Sequence, residues 1–280
     1  PPAEGGRARD DDKKEDHQAG EFPEVRDCFM IYGGQVANAS ARHRKQERRE
    51  VCSVKVAAPV YLDWSDKPIT FDQGDHPDCM LSPGKYQLVV DLTLDKIVAY
   101  DFAHRAEGLK AVPAATIDTR KIAPGAGPRH IVFHPNGRFA FVIFELKNLV
   151  ASYRYTGEGF EFIEIKDLLA KGFTDFSKAA AIKLSEDGSQ LFCSNRGHDS
   201  ITVFNVDAGT GKMAFLNNAK LGGQFPRDFA FFPGGKFCMA GLKESWRLAS
   251  FAYDRAKGTF DLVASMEGVY RPLFFTFKTK

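Results

Sequence analysis

Four segments of this chain follow one plan, and that repetition constrains the fold more than any other feature. They read Cys79-Met-Leu-Ser-Pro-Gly84-Lys-Tyr-Gln-Leu-Val-Val, Ile131-Val-Phe-His-Pro-Asn-Gly137-Arg-Phe-Ala-Phe-Val, Ile182-Lys-Leu-Ser-Glu-Asp-Gly188-Ser-Gln-Leu-Phe-Cys and Phe229-Ala-Phe-Phe-Pro-Gly-Gly235-Lys-Phe-Cys-Met-Ala. Each is an apolar run, a glycine turn and a second apolar run, which is a strong short signal for a β-hairpin. The turn glycines lie 53, 51 and 47 residues apart. A third strand-like run follows each hairpin at Lys96–Tyr100, Leu149–Tyr155, Ser200–Phe204 and Arg247–Tyr253, and a fourth run follows that. About four antiparallel strands per repeat of this length predict an all-β fold, a β-propeller of four-stranded blades.

The ends suggest how such a propeller is joined. Val269-Tyr-Arg-Pro-Leu-Phe-Phe-Thr-Phe277 reads as a lone first strand, and Val25-Arg-Asp-Cys-Phe-Met-Ile-Tyr32 as its hairpin partner. The two termini are therefore expected to share a blade, bringing the readable repeats to about five and removing open sheet edges. Residues 23–280 are assigned to the propeller. Residues 1–22 are assigned to a disordered tail, because the first 20 residues hold no aliphatic side chain larger than Ala and are dense in both charges. The polar run at 42–50 reads as a solvated loop or short helix, with a basic site for an anionic partner as its functional alternative.

Composition removes several function classes. Thirty-eight Lys and Arg against 36 Asp and Glu give a net charge of +2, too balanced for a nucleic-acid-binding protein as a whole. No apolar stretch approaches the roughly 18 residues of a membrane-spanning helix. Cys28, Cys52, Cys79, Cys193 and Cys238 are odd in number and include no Cys-x-x-Cys. That pattern suits buried thiols in a reducing compartment, so a cytoplasmic location is expected, or an organelle after loss of a transit peptide. No phosphate-binding Gly-rich loop, dinucleotide fingerprint or serine-hydrolase elbow occurs, and no cofactor is expected.

Several segments go beyond a generic propeller. Pro124-Gly-Ala-Gly-Pro-Arg-His-Ile-Val-Phe-His-Pro-Asn-Gly137 resembles the signature of the seven-bladed lactonase family, which includes bacterial 6-phosphogluconolactonases and fungal carboxy-muconate cyclases. Ser194-Asn-Arg-Gly-His-Asp-Ser-Ile-Thr-Val-Phe204, Phe225-Pro-Arg-Asp-Phe229 and Val89-Val-Asp-Leu-Thr-Leu-Asp-Lys-Ile97 are similar to blade motifs of the same family. The resemblance runs from about residue 75 to the end. It implies an intracellular hydrolase of carbohydrate metabolism, in the pentose phosphate pathway.

The repeat arithmetic selects site residues independently. Residues equally far before and after a hairpin turn lie near the same face of the sheet. Eight positions after the turn glycines stand Leu92, Glu145, Arg196 and Lys243; eight before stand His76, Arg129, Ala180 and Arg227. Aligning the last strand puts Arg271 level with Arg129. One mouth is thus expected to gather Arg129, Arg196, Arg227, Lys243 and Arg271 around Glu145, with Glu145 and Arg196 within reach of each other. Such a mouth suits an anionic substrate. Its cations would stabilise the oxyanion formed when water attacks a lactone carbonyl, and Glu145 or a nearby His would take the proton.

The resemblance implies a catalytic set of His, Arg, Glu and Arg, which Arg129, Glu145 and Arg196 match. The family histidine falls at Pro77 by strict count, and His76, one place before it, is the candidate. His198 is a further substrate-binding candidate, or a hydrogen-bonded turn residue beside Asp199. His130 and His134 read as structural, Cys193 and Cys238 as inert core thiols. The crowd of cations argues against a metal. The expected function is metal-free hydrolysis of a lactone, most simply 6-phosphogluconolactone to 6-phosphogluconate. The alternative is a non-catalytic propeller serving protein partners as a subunit or interaction platform.

Overall fold

The computed structural model describes residues 86–101 and 110–272 in full, and the backbone of four further strands at 28–32, 35–39, 78–81 and 275–277. The expected tail at 1–22, the polar run at 42–50, the turn glycine Gly84, His76 and Cys28, Cys52 and Cys79 lie outside the residues so described, the two cysteines on strands as regards their side chains.

Strands β1 (Cys28–Tyr32) and β2 (Gln35–Ala39) form a hairpin. The next sheet comprises β3 (Asp78–Leu81), β4 (Tyr86–Asp91), β5 (Lys96–Asp101) and β6 (Ile117–Asp118). Then follow β7 (Pro128–Phe133), β8 (Phe139–Phe144), β9 (Leu149–Tyr155) and β10 (Phe160–Asp167). The fourth sheet holds β11 (Lys178–Leu184), β12 (Gln190–Arg196), β13 (Ser200–Val206) and β14 (Met213–Lys220). The fifth holds β15 (Pro226–Phe231), β16 (Phe237–Leu242), β17 (Arg247–Asp254) and β18 (Thr259–Glu267). Finally β19 (Phe275–Phe277) pairs antiparallel with β1, so the first and last strands share a sheet. The four complete sheets are antiparallel meanders, and their first strands pack on one another in chain order, from β3 through β7, β11 and β15 to β19. This is the blade arrangement of a β-propeller.

Packing follows from the two-sided burial of the second strands. Every residue of β8 is buried. Phe139, Phe141 and Ile143 enter the core shared with β11 and β12, whereas Ala140, Val142 and Phe144 enter the core shared with β4 and β5. Period-two alternation thus feeds two interfaces from one strand. Fully burying a phenylalanine side chain stabilises by about 1.5–3 kcal/mol, and Phe141→Ala would cost about 3–5 kcal/mol. The outer strands meet solvent: β18 is exposed from Asp261 to Glu267.

Two local devices set the blades against each other. Gly188 turns its hairpin at φ 73°, and a Cβ there would sit 2.5 Å from His134 Nε2 of the preceding blade. Glycine is required by both conformation and space. The loops joining second to third strands end in a left-handed residue, Asp95, Asn148 and Asp199, at φ 51°, 52° and 54°. Asn and Asp tolerate this region, and their side chains bind locally. Asp95 accepts from Gly125 N at 2.6 Å and Gly127 N at 2.8 Å; Asn148 Nδ2 donates to Ser177 O at 2.9 Å; Asp199 accepts from Phe225 N at 2.8 Å. Each ties its blade to the segment entering the next one. The starts of β7, β11 and β15 are held this way, and the charged residues lie there.

Candidate active site

Each of these three strands starts with a β-bulge at the same height. Pro128 pairs with Phe144 and His130 with Ile143, leaving Arg129 extra. Pro226 pairs with Leu242 and Asp228 with Gly241, leaving Arg227 extra. On β11 the register shifts between Ala179 and Ile182, so Ala180 and Ala181 face the one residue Ser194. A bulge interrupts the alternation of faces and re-aims side chains. Arg129 and His130, neighbours in sequence, consequently come together in space.

Glu145 lies just beyond the end of β8, where its N–H donates to Gly127 O at 2.8 Å and its carbonyl accepts from Ala179 N at 3.1 Å. Its carboxylate is held from two sides. Arg129 Nε stands 3.0 Å from Oε2, and Arg196 Nη2 stands 2.9 Å from Oε1. Lys178 Nζ lies 3.9 Å from the same Oε1. The arginines also bind β11: Arg129 Nη1 donates to Ala180 O at 2.7 Å, and Arg196 donates to Ala179 O at 2.9 Å and Lys178 O at 3.4 Å. Three successive carbonyls at the start of this inner strand are thereby satisfied by guanidinium groups. Among the described residues, Arg129 Nη2 and Arg196 Nη1 have no hydrogen-bond partner.

Arg227 completes the cluster differently. It is half-buried and has no hydrogen bond or ion pair among the described residues. Burial and then the nearby Arg196 depress its proton affinity, while Glu145 and Asp228 raise it. Burial, followed by Arg227 and Arg196, likewise brings Arg129 down to about 10, still charged at neutral pH. Asp228 is buried, with Lys183 Nζ 3.4 Å from its Oδ1. His130 has Arg129 Nη1 2.8 Å from Nε2 and 3.1 Å from Nδ1. Burial and then Lys183, Arg227 and Arg196 push its imidazole down to about 3.

The remaining candidates are placed elsewhere. Lys243 binds the neighbouring Glu244 at 2.6 Å and lies over the Phe225 ring. Arg271 is exposed, at φ 44°, with its guanidinium over Tyr270 and its charge acting on Glu244. These two form a second charged group with Glu244, separate from the Glu145 pairs. His198 is buried against Phe173, with Nδ1 2.7 Å from Ser200 Oγ and its carbonyl accepting from Lys220. Sequence reasoning omitted Lys178, Lys183, Asp228 and the site position of His130. Their signal is the one-residue offset of the bulge, which hydrophobic patterning does not display. Among the described residues, no group of three or more His, Cys, Asp or Glu side chains is arranged to hold a metal ion.

The family model "Lactonase, 7-bladed beta-propeller" matches residues 50–277. The chain belongs to this lactonase family. It is 36% identical over 214 residues to the 6-phosphogluconolactonase of Bacillus subtilis, covering 76% of this chain and 58% of that protein. An uncharacterised Staphylococcus saprophyticus protein is 35% identical over 184 residues, covering 65% of this chain and 51% of the relative. Among solved structures, the periplasmic gluconolactonase of Pseudomonas aeruginosa superposes with a TM-score of 0.67 at 35% identity, covering 72% of this chain and 56% of that one. A putative 6-phosphogluconolactonase from Bacteroides fragilis gives 0.63 at 27% identity, covering 73% and 58%. This lactonase-family chain spans about half to three-fifths of the length of the relatives it matches. No helix among its described residues is long and apolar enough to cross a membrane.

Proposed function

We propose that this lactonase-family chain hydrolyses a sugar lactone carrying an anionic group, with 6-phosphogluconolactone the leading candidate, by metal-free attack of water. The observation that carries the reading is Arg227. A half-buried guanidinium without a hydrogen bond among the described residues, beside two further arginines, is a poor arrangement unless an anion completes it. A phosphate or carboxylate of the substrate supplies that anion. Arg129 Nη2 and Arg196 Nη1 are then the donors for the oxyanion that develops on the lactone carbonyl. Glu145 fixes both guanidinium groups from behind, so these donors are oriented before substrate arrives. The names of the Bacillus, Pseudomonas and Bacteroides relatives support lactone chemistry. The buried free thiols Cys193 and Cys238 support a reducing compartment such as the cytoplasm.

The test is hydrolysis of 6-phosphogluconolactone by purified protein, with the spontaneous rate subtracted and EDTA present. Acceleration that EDTA leaves unchanged is expected, along with weaker turnover of the unphosphorylated lactone. Absence of any acceleration would remove the catalytic reading and favour the interaction platform.

A further inference from the structure

Backbone strain is concentrated beside the mouth, in one sector of its rim. Among the described residues, six other than glycine take a left-handed φ. Three are the clamps Asp95, Asn148 and Asp199, residue types that tolerate it. The others are Phe225, Trp246 and Arg271, at φ 56°, 50° and 44°. Bulky side chains strain the backbone there, and such strain clusters where a side chain serves a ligand. The chain itself shows the unstrained alternatives. Gly127 takes φ 64° before Pro128, the place Phe225 holds before Pro226 and Arg271 before Pro272. Trp246 stands in its loop where the clamp Asp or Asn stands on the three preceding blades.

These three side chains belong to one strip. It starts at Phe176 and Phe225, which stand two residues before Lys178 and Arg227 of the charged cluster. Their ring centroids are 6.5 Å apart and their planes 19° apart. Lys243 Nζ lies 5.9 Å from the centre of the Phe225 ring and pairs with Glu244 at 2.6 Å. The Lys243 N–H donates to Phe225 O at 2.9 Å, which fixes this loop against the start of β15. Arg271, whose charge acts on Glu244, lies 5.6 Å over the Tyr270 ring. Tyr270 in turn meets Trp246 at 5.3 Å, edge to face. Phe176, Trp246 and Tyr270 are 63%, 48% and 57% exposed, so their rings are open to a ligand.

We propose that this strip is a sugar-binding subsite leading out of the mouth, and that it holds a glycosyl unit attached to the lactone. The link to a lactone rests on the hydrolytic reading above; the binding of a sugar does not. A sugar ring has a face of C–H groups, which packs on an aromatic ring, and a rim of hydroxyls, which need donors and acceptors beside that ring. The strip alternates the two. Lys243 and Glu244 stand between Phe225 and Tyr270, and Arg271 lies against Tyr270, each able to meet hydroxyls at a ring edge. The centre of a protein-binding surface is depleted in charge, so charged groups set among the rings favour a sugar over a protein partner. Continuity with the arginine cluster gives the direction: a lactone held over Arg129 and Arg196 presents its attached sugar to Phe176 and Phe225 first, then to Tyr270 and Trp246.

The experiment uses cellobionolactone, which is gluconolactone carrying a glucosyl unit, and gluconolactone itself, with the products cellobionate and gluconate as binding probes. Wild type is expected to show the lower KM for cellobionolactone. Phe225→Gly and Trp246→Asn are each expected to reduce that preference by about tenfold, the scale for losing the burial of one ring face. Gly and Asn both suit a left-handed backbone, so the melting temperature should hold in both variants. Cellobionate should change the emission of Trp246, isolated as the difference between wild type and Trp246→Asn, whereas gluconate should not. No emission change with cellobionate would overturn the sugar site. Equal KM values for the two lactones despite that change would overturn its link to the lactone. Self-association of wild type that either variant abolishes, with cellobionate inert, would assign the strip to a protein interface and overturn the proposal. Binding of cellobionate without hydrolysis of any lactone would sustain the sugar site and overturn the hydrolytic reading alone.

Discussion

Arg196 and Glu145 occupy the same height on successive blades, and their charged ends meet at 2.9 Å across the blade boundary. With Arg129 on the other oxygen, one carboxylate holds two guanidinium groups that would otherwise repel each other. Glu145→Gln leaves both cations, and Lys178, without their counter-charge. Removing one partner of a largely buried pair costs about 3–5 kcal/mol, and here about 1–3 kcal/mol is expected because the group is partly solvated. Turnover should fall by about 10²–10³, the range for disturbing oxyanion donors. Inorganic phosphate should bind more tightly, since the site has become more positive. Melting temperature, kcat and phosphate affinity together check this. A stable, fully active variant would show that the carboxylate organises nothing catalytic.

Arg227→Gln should behave in the opposite sense. Because Arg227 makes no ion pair among the described residues and is repelled by Arg196, its removal is expected to leave the melting temperature unchanged or slightly raised. KM for an anionic lactone should rise by about tenfold or more, corresponding to a lost charge-assisted hydrogen bond. An unphosphorylated lactone should show a smaller rise. Equal effects on both substrates would place the anion elsewhere.

Stability should fall as the solution is acidified, and His130 should contribute to the slope. In the unfolded chain its imidazole takes a proton near 6.5, but in the folded protein only near 3. Between those values the unfolded state binds more protons, so stability rises with pH and is lost as pH falls through the window. The contribution is at most a few kcal/mol. Denaturant unfolding at pH 7 and at pH 4.5 should show a smaller difference for His130→Asn than for wild type. Identical pH dependence would mean that the imidazole titrates alike in both states.

Asp95→Ala tests the link between blade clamps and site. The substitution deletes the acceptor for Gly125 N and Gly127 N and leaves both donors beside the entry to β7. A loss of about 1–3 kcal/mol is expected. Since Gly127 O also accepts from Glu145 N, kcat should fall several-fold without any change to a charged site residue. An activity equal to wild type would show that the clamp stabilises the fold without positioning Glu145.

Much of this molecule was legible in its residues because the relevant physics is local. Glycine turns between apolar runs mark the hairpins wherever they occur, and Gly137, Gly188 and Gly235 all take positive φ in the structure. Counting from those turns also places Glu145 level with Arg196. The count loses accuracy where pairing register intervenes. Whether Arg129 or His130 faces a given partner depends on one unpaired residue, and a bulge depends on the opposite strand as much as on its own sequence. Lys243 was assigned to the mouth by height alone, yet Glu244 next to it captures its charge. Arg271 itself takes a left-handed backbone conformation and lies over the Tyr270 ring, which no periodicity announces. His198 is buried by Phe173 from the segment between β10 and β11, a contact between residues far apart in the chain.

The shared bulge gives the inner strands a common grammar. At one height around the axis, each strand supplies a two-letter word: Arg129-His130, Ala180-Ala181, Arg227-Asp228. The remainder of each strand is committed to cores on either side, whereas this slot takes a guanidinium with an imidazole, two methyl groups, or a guanidinium with a carboxylate on the same backbone. The chemistry of the mouth can therefore be rewritten two residues at a time, blade by blade, without asking the packed sheets to change.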